Sequence, residues 1–253
     1  MKRGQTTLFI VVAVIIVAII GILIFFMNKN ADDIPGSSGN AENAYGFLSS
    51  CIEDSLKETI KTISEQGGYV EPHLYRALEG ENISYLCYTQ NYYVTCVNQE
   101  PVLIQHLKSE IKENIKDDVE ECMFNLKLDY ERKGYDVNLD YNDFEVSIVP
   151  GKTVLDIDAT MSYSKGDENE VRSKFDMIVP TKFYDLAIVV QEILAQEARF
   201  CNFEQQGYML LYNEYDIDRF RLGDATIIYT VKHRKSGEEF KFAVRSCAIP
   251  PGF

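Results

Sequence analysis

One uninterrupted apolar stretch near the start of the chain constrains its fold more than any other feature. Residues 8–27 contain no charged side chain and no proline. About 20 apolar residues is the length that an α-helix needs to cross a hydrocarbon core of about 30 Å. A secretory signal peptide has a shorter apolar stretch, about 7 to 15 residues. We therefore expect residues 8–27 to form a transmembrane helix that stays on the protein and lies in the lipid bilayer.

Charge predicts the orientation of this helix. Lys2 and Arg3 precede it within residues 1–7, and basic residues favour the cytoplasmic side of a membrane. We therefore expect a short basic cytoplasmic leader and an extracellular domain after the span. The chain has a formal net charge of −14, and an acidic surface repels the phosphates of nucleic acids. Nucleic acid is therefore not an expected partner.

A polar segment separates the span from the rest of the chain. Residues 28–43 are rich in Pro, Gly, Ser, Asn and Asp, which is typical of a flexible linker. From residue 44 to residue 253 the apolar pattern is that of a folded, extracytoplasmic domain. All six cysteines lie in this part of the chain, and in an oxidising exterior they can pair as three disulfides.

Two hydrophobic periods predict the secondary structure of this domain. A period of three and four residues predicts helices over residues 44–66, from Pro101 to about Gly134, and over 182–203. Alternation predicts strands over residues 83–89, 92–97, 137–139, 144–148, 154–159, 175–179, 219–222, 226–233 and 240–246. Turns are predicted at Gln90-Asn91, Asn142, Pro150-Gly151, residues 165–169 and Lys235-Ser236-Gly237. Helices and strands come in separate blocks, so the predicted class is α+β, with three helices, antiparallel sheets and a central four-stranded meander.

This layout also suggests how the cysteines pair. In a hairpin centred between residues 91 and 92, Cys87 lies opposite Cys96 at disulfide distance. Antiparallel packing of the first two helices would join the first and fourth cysteines, which leaves the fifth for the sixth. The predicted disulfides are therefore Cys87–Cys96, Cys51–Cys122 and Cys201–Cys247. The alternative is six separately buried thiols.

Two serine–lysine pairs raise the hypothesis of an exported serine hydrolase. Ser109 with Lys112, and Ser162 with Lys165, have the Ser-x-x-Lys spacing in which a lysine activates a serine nucleophile. Lys235-Ser236-Gly237 resembles the third element of the penicillin-recognising enzymes. The Ser-x-Asn element that should follow these pairs occurs only in the linker, ahead of both. We therefore expect no catalytic residues and favour a role that is not enzymatic.

No side chains are spaced as metal ligands are. His73, His106 and His233 are scattered, and the chain has no Cys-x-x-Cys motif, so a zinc site is not expected. Asp156 and Asp158 share one face of a strand and could offer oxygens to calcium, but they lack the spacing and the glycine of a calcium loop. We expect no metal and no cofactor.

Two features are suited to partners at a cell surface. The chain contains 16 tyrosines and no tryptophan, and tyrosine serves binding surfaces because it is rigid and amphipathic. A protein or glycan partner would suit such a surface. Asn82-Ile83-Ser84 is an acceptor pattern for glycosylation at Asn82.

The first residues resemble an archaeal class III signal peptide of the type IV prepilin kind. In Lys2-Arg3-Gly4-Gln5 a short basic segment precedes a glutamine, and the resemblance implies a cut between Gly4 and Gln5 that leaves the apolar segment as the N-terminal helix. Phe9 stands at the fifth mature position, where that family usually has an acidic residue. The segments Glu65–Tyr69 and Arg245–Gly252 resemble those of membrane-anchored archaeal proteins of unassigned function, which implies location and architecture but no activity.

These observations favour one hypothesis over two alternatives. The leading hypothesis is a single-pass, membrane-anchored protein of the cell surface or envelope with a binding, adhesion or structural role. The first alternative is a type IV pilin-like filament subunit. The second is an exported serine hydrolase.

Overall fold

The computed structural model of the chain describes residues 39–250, with side chains from residue 44. Within these residues the fold is α+β, as predicted. None of the helices found there combines the length and the apolar content that a membrane crossing requires. The predicted span at residues 8–27, the leader with Gly4 and Gln5, and residues 28–38 of the predicted linker lie outside the described residues.

Four helices form within the described residues. They are α1 (Gly39–Glu65), α2 (Leu103–Arg132), α3 (Phe183–Phe200) and α4 (Gln205–Leu211). The first three confirm the predicted helices, whereas α4 is absent from the prediction because seven residues are too few to establish a period. α1 begins at Gly39, so its first residues fall within the predicted linker of residues 28–43. Ala41 and Glu42 have high helix propensity and favour this earlier start.

α1 ends at a pair of glycines that the backbone requires. Gly67 and Gly68 have φ values of 73° and 97°, which L side chains rarely adopt. The Gly68 N–H donates to the Ile63 carbonyl at 2.8 Å, which satisfies one of the last carbonyls of the helix. A Cβ added at Gly67 would lie 2.9 Å from the Ser84 carbonyl oxygen. Glycine therefore lets the end of α1 pass against a strand.

Ten strands form two sheets. They are β1 (Tyr75–Leu78), β2 (Glu81–Tyr88), β3 (Val97–Asn98), β4 (Asp136–Val149), β5 (Lys152–Lys165), β6 (Glu168–Arg172), β7 (Phe175–Pro180), β8 (Tyr215–Arg221), β9 (Ile227–His233) and β10 (Glu239–Arg245). The six-stranded sheet has the order β1-β2-β10-β9-β8, with β3 also paired to β2. β2 and β10 run parallel, with Tyr85 opposite Ala243. The prediction of antiparallel sheets is therefore wrong for this pair, which joins segments that are distant in sequence.

The four-stranded sheet is built around β5. β4 pairs with one edge of β5 along its whole length, while β6 and β7 pair with the two halves of the other edge. The predicted meander is therefore wrong, because β5 has two neighbours on one edge. The turn predicted at Asn142 is also wrong: the ladder shifts between Tyr141 and Asp143, so this residue forms a bulge that leaves the strand unbroken. β6 is absent from the prediction because its sequence is mainly charged and polar.

α3 lies at the centre of the fold. It contacts strands of both sheets and also α2. Its buried residues recur at helical spacing and are Phe183, Leu186, Ala187, Val189, Val190, Ile193, Leu194 and Glu197. One apolar cluster runs through the helices and both sheets, and burial in this continuous core explains why a helix with so many apolar residues is stable.

Three disulfides cross-link the domain. They are Cys51–Cys122, Cys87–Cys96 and Cys201–Cys247, with Cα–Cα distances of 6.0, 5.3 and 5.7 Å. No cysteine is left free, so the alternative of six separate thiols is wrong. The pairs are those named from the sequence. The first joins α1 to α2, and the last joins the end of α3 to the residues after β10.

The hairpin register used to place Cys87 opposite Cys96 is wrong. Cys87 lies opposite Asn98, and β3 contains only two residues. Residues 89–96 form a loop in place of the predicted two-residue turn. This loop pairs with the C-terminal segment, since the Tyr93 N–H donates to the Ala248 carbonyl at 2.9 Å. This loop therefore pairs with a segment that is distant in sequence and does not form the hairpin strand predicted next to β2.

Candidate binding groove

Ser109 and Lys112 lie on α2 but do not act on each other. The Ser109 hydroxyl donates to the Gln105 carbonyl at 3.2 Å, while the Lys112 ammonium contacts Asp143 at 2.7 Å and Glu145 at 3.3 Å. Hydrogen bonds to these carboxylates raise the pKa of Lys112. A lysine that activates a serine must lose its proton readily, so this environment opposes that role.

The other serine–lysine elements are also separated. Residues three apart on a strand point to opposite faces, so Ser162 and Lys165 of β5 diverge. The Lys165 ammonium instead donates to the Lys133 carbonyl at 2.7 Å. Ser236 lies in the turn between β9 and β10, where its hydroxyl oxygen is 2.9 Å from Nδ1 of His233. Its backbone N–H donates to the same nitrogen at 3.2 Å, so this histidine braces a turn.

The candidate metal ligands are scattered in space as well. Residues 39–250 contain no group of three His, Cys, Asp or Glu side chains arranged to hold a metal ion. His106 lies 2.8 Å from the Gly68 carbonyl through Nε2, where it holds the glycine pair after α1. Asn82, the predicted glycosylation site, is exposed near the start of β2. Glycosylation there stays a prediction.

An aromatic concavity lies between α3, α4 and the start of β8. It has a volume of about 620 Å³, and we call it the tyrosine groove. Its lining residues are Tyr184, Asp185, Ile188, Val189, Glu192, Gln196, Tyr208, Leu211, Tyr212, Glu214 and Tyr215. This volume falls within the range of about 300 to 1,000 Å³ that ligand sites commonly occupy.

Helical spacing explains how α3 supplies one wall of the groove. Tyr184, Ile188, Glu192 and Gln196 are four residues apart and therefore lie along one side of the helix. They face away from the buried side of α3 that fills the core. Cys201 then turns the chain with a φ of 55°, and α4 returns as the second wall.

α4 exposes apolar and aromatic side chains into this groove. No residue of α4 is fully buried, and Leu211 is 79% exposed. The rings of Tyr208 and Tyr212 lie 4.6 Å apart between centroids, a contact that orients both side chains. With Tyr184 and Tyr215 they form a partly exposed aromatic lining, which is the kind of surface that binding sites use.

The rim of the groove is acidic. Asp185, Glu192 and Glu214 line it, and among the described side chains only Asp185 has a cationic partner, Lys182, at 3.3 Å. Burial raises the pKa of Tyr208 to about 12, and the neighbouring tyrosines and the carboxylates of Glu192 and Glu214 add to this effect. The lining of the groove therefore contains three carboxylates and no lysine or arginine among the described residues.

A second concavity of about 510 Å³ lies between α1, the start of α3 and the turn after β9. Its carboxylate Glu238 accepts hydrogen bonds from the Thr181 hydroxyl at 2.6 Å and the Lys182 N–H at 2.8 Å. This residue therefore caps the first turn of α3, whose N-cap residue Lys182 makes no capping hydrogen bond with its own side chain. We assign this cleft a structural role and regard the tyrosine groove as the candidate site.

The composition predicts a tyrosine-rich surface but does not place the groove. The available signal was the spacing of Tyr208, Leu211 and Tyr212, which places three large side chains on one side of a short helix. Without the prediction of α4 that signal could not be used. Comparison with protein-family models, with curated proteins and with solved structures finds no match to this chain.

Proposed function

We propose that the chain is a single-pass, membrane-anchored protein of the cell surface that binds a partner through its extracellular domain. In this proposal residues 8–27 lie in the bilayer and the acidic α+β domain lies outside. The tyrosine groove carries the binding role, because it is concave, partly exposed and lined by aromatic rings beside carboxylates. An adhesion or structural role within the envelope would use the same surface.

The disulfides support the extracellular location. Disulfides persist in oxidising compartments and are rare in the cytosol. All six cysteines of this chain are paired, and two of the pairs close sequence separations of 71 and 46 residues. A reducing compartment would remove these restraints and lower the stability of the domain.

Protease treatment of intact cells tests this topology. We expect added protease to cleave the domain on intact cells while a cytoplasmic marker protein remains whole. Permeabilised cells provide the positive control, since protease then reaches both proteins. A domain that is cleaved only after permeabilisation would contradict the proposal.

A type IV pilin-like filament subunit is the second candidate. One observation favours it: α1 begins at Gly39, within the predicted linker, so fewer residues separate the predicted span from the first helix that follows it. Mass spectrometry of the mature N-terminus discriminates between the candidates. A chain that starts at Gln5 in sheared filaments supports the pilin, and an intact Met1 found only in membranes argues against it.

A further inference from the structure

We propose that the tyrosine groove binds a basic, amphipathic segment of a partner polypeptide. A lysine or arginine side chain of that segment lies among the tyrosine rings and is neutralised by Glu192 and Glu214, while a neighbouring apolar side chain packs on Leu211. This inference rests on the proposed binding function and adds to it the chemistry of the partner.

The aromatic lining favours a cation. A lysine or arginine placed over a tyrosine ring is attracted electrostatically by the negative face of the ring. Tyr208 and Tyr212 are held against each other, so their rings are oriented before a ligand arrives. Pre-oriented rings reduce the conformational entropy that binding must overcome.

The carboxylates strengthen this preference and exclude an anionic ligand. Glu192 is exposed, and its side chain accepts a hydrogen bond from the neutral amide of Gln196 at 2.8 Å. Within the described residues neither Glu192 nor Glu214 has a basic side chain within 4.0 Å. A basic segment would supply the missing partners, and complementary charge speeds encounter and selects among partners.

The exposed apolar surface points to a polypeptide partner, more than to a small cation. Leu211, Tyr212 and Ile188 are 79%, 47% and 42% exposed, and a single ammonium group would leave this surface in water. The wall from Tyr184 to Gln196 spans twelve residue steps, which is about 18 Å along a helix. An extended segment of about five or six residues covers that length, enough for basic and apolar side chains to alternate.

Selection from a random-peptide library tests this inference. The probe is a displayed library of twelve-residue peptides, and the target is the full chain in lipid nanodiscs, with empty nanodiscs for counter-selection. We expect selected peptides to be enriched in Lys or Arg next to Leu, Ile, Phe or Tyr. Recovery of no peptide above the empty nanodiscs would overturn the proposal.

Binding of a selected peptide to matched variants then locates the site. For Glu192→Gln/Glu214→Gln we expect the dissociation constant to rise about three- to tenfold, the effect of losing two partly exposed ion pairs. Added salt should weaken binding to the unmodified chain more than to this variant. The control Glu113→Gln/Glu120→Gln removes two exposed carboxylates of α2, outside the groove, and should leave binding unchanged.

The remaining outcomes separate this inference from the proposed function. Selected peptides without basic residues, which nevertheless bind less to Leu211→Ser/Tyr212→Ser, would overturn the cationic preference but leave a binding groove. A soluble glycan that competes with the peptide, and whose binding is unaffected by Glu192→Gln/Glu214→Gln, would also overturn the cationic preference and leave a binding groove. Equal binding to all variants would place the site elsewhere, and protease accessibility tests the membrane topology independently of every one of these results.

Discussion

At the scale of single residues, a buried carboxylate in the core depends on one basic side chain. Glu197 of α3 has no exposed surface, and Nη2 of Arg219 lies 3.6 Å from its Oε1. The Tyr229 hydroxyl donates to the same oxygen. Burial and then the charge of Glu197 raise the pKa of Tyr229, which keeps that hydroxyl protonated as a donor. The charge of Glu197 is therefore compensated mainly by Arg219.

We expect Arg219→Met to lower the free energy of unfolding by about 3 kcal/mol, because it leaves the buried Glu197 carboxylate without its cation. Urea unfolding monitored by circular dichroism measures the loss. The double variant Glu197→Gln/Arg219→Met should lose less than Arg219→Met alone, since it removes the buried charge as well. A double variant that is less stable than the single one would show that the ion pair is not the cause.

Two aspartates face each other on the four-stranded sheet. Asp156 of β5 lies opposite Asp176 of β7. Partial burial raises the pKa of Asp176 above its ordinary value of 3.8, and the neighbouring Asp156 raises it further. The folded state therefore binds a proton more tightly than the unfolded state does. Stability falls as the pH rises from 3.8 through the raised pKa of Asp176.

We expect Asp176→Asn to stabilise the domain at neutral pH by a few tenths of a kcal/mol, a small effect because solvent screens this exposed pair. The gain should disappear near pH 3, where the Asp176 carboxyl is already protonated. Thermal unfolding at the two pH values measures both effects. Asp140→Asn is the control, because Asp140 of β4 lies opposite Thr160 and not opposite an acid. Equal gains from both variants would contradict the explanation.

At the scale of elements, the disulfides restrain very different lengths of chain. Cys51–Cys122 closes a sequence separation of 71 residues between α1 and α2. Cys87–Cys96 closes a separation of only 9 residues, within a loop beside β2. In the chain-entropy account a longer closed loop restricts the unfolded state more, so its disulfide stabilises the fold more.

We therefore expect Cys51→Ser/Cys122→Ser to destabilise the domain by about 4 kcal/mol and Cys87→Ser/Cys96→Ser by about 2.5 kcal/mol. Urea unfolding of both variants under non-reducing conditions measures this order. Peptide mapping without reduction provides the control, because it verifies that the four remaining cysteines keep their partners. A larger loss from the short loop would show that native contacts around Cys87, and not chain entropy, set the order.

At the scale of the whole molecule, charge is distributed unevenly along the chain. The first 33 residues carry three basic and two acidic side chains, so residues 34–253 have a net charge of −15. Such a domain is repelled by anionic lipid headgroups. The proposed topology keeps the basic residues Lys2 and Arg3 at the cytoplasmic face and the acidic domain outside.

Reversal of the leader charge tests that topology. We expect Lys2→Glu/Arg3→Glu to reduce the fraction of chains whose domain is reached by protease on intact cells, because it removes the basic residues that favour cytoplasmic retention of the leader. Lys29→Gln, which removes one basic residue after the span, is the control and should not reduce that fraction. An unchanged fraction in the doubly reversed variant would argue against an orientation set by the leader.

Local periodicity predicted much of the fold. Leu48, Ile52 and Leu56 of α1 recur at helical spacing in the sequence and are buried in the structure. The predictions that failed concern strands whose pairing partners are distant in sequence or whose own residues are mainly polar. β2 pairs in parallel with β10, and no local pattern encodes a neighbour that far along the chain. β6 forms because the second half of β5 offers an unpaired edge, a condition that exists only after folding.

The sequence by itself determined the apolar stretch, the basic residues before it and the acidic excess after it, and the cysteine content of the domain. It also determined three helices, because a helical period depends on residues that are close together in the chain. Tertiary structure alone decided the order of the strands, the loop that replaced the hairpin at residues 89–96, and the position of the tyrosine groove. Tyr184 and Tyr212 line one surface because α4 folds back beside α3. That juxtaposition depends on packing between segments, which the spacing of residues within one segment does not specify.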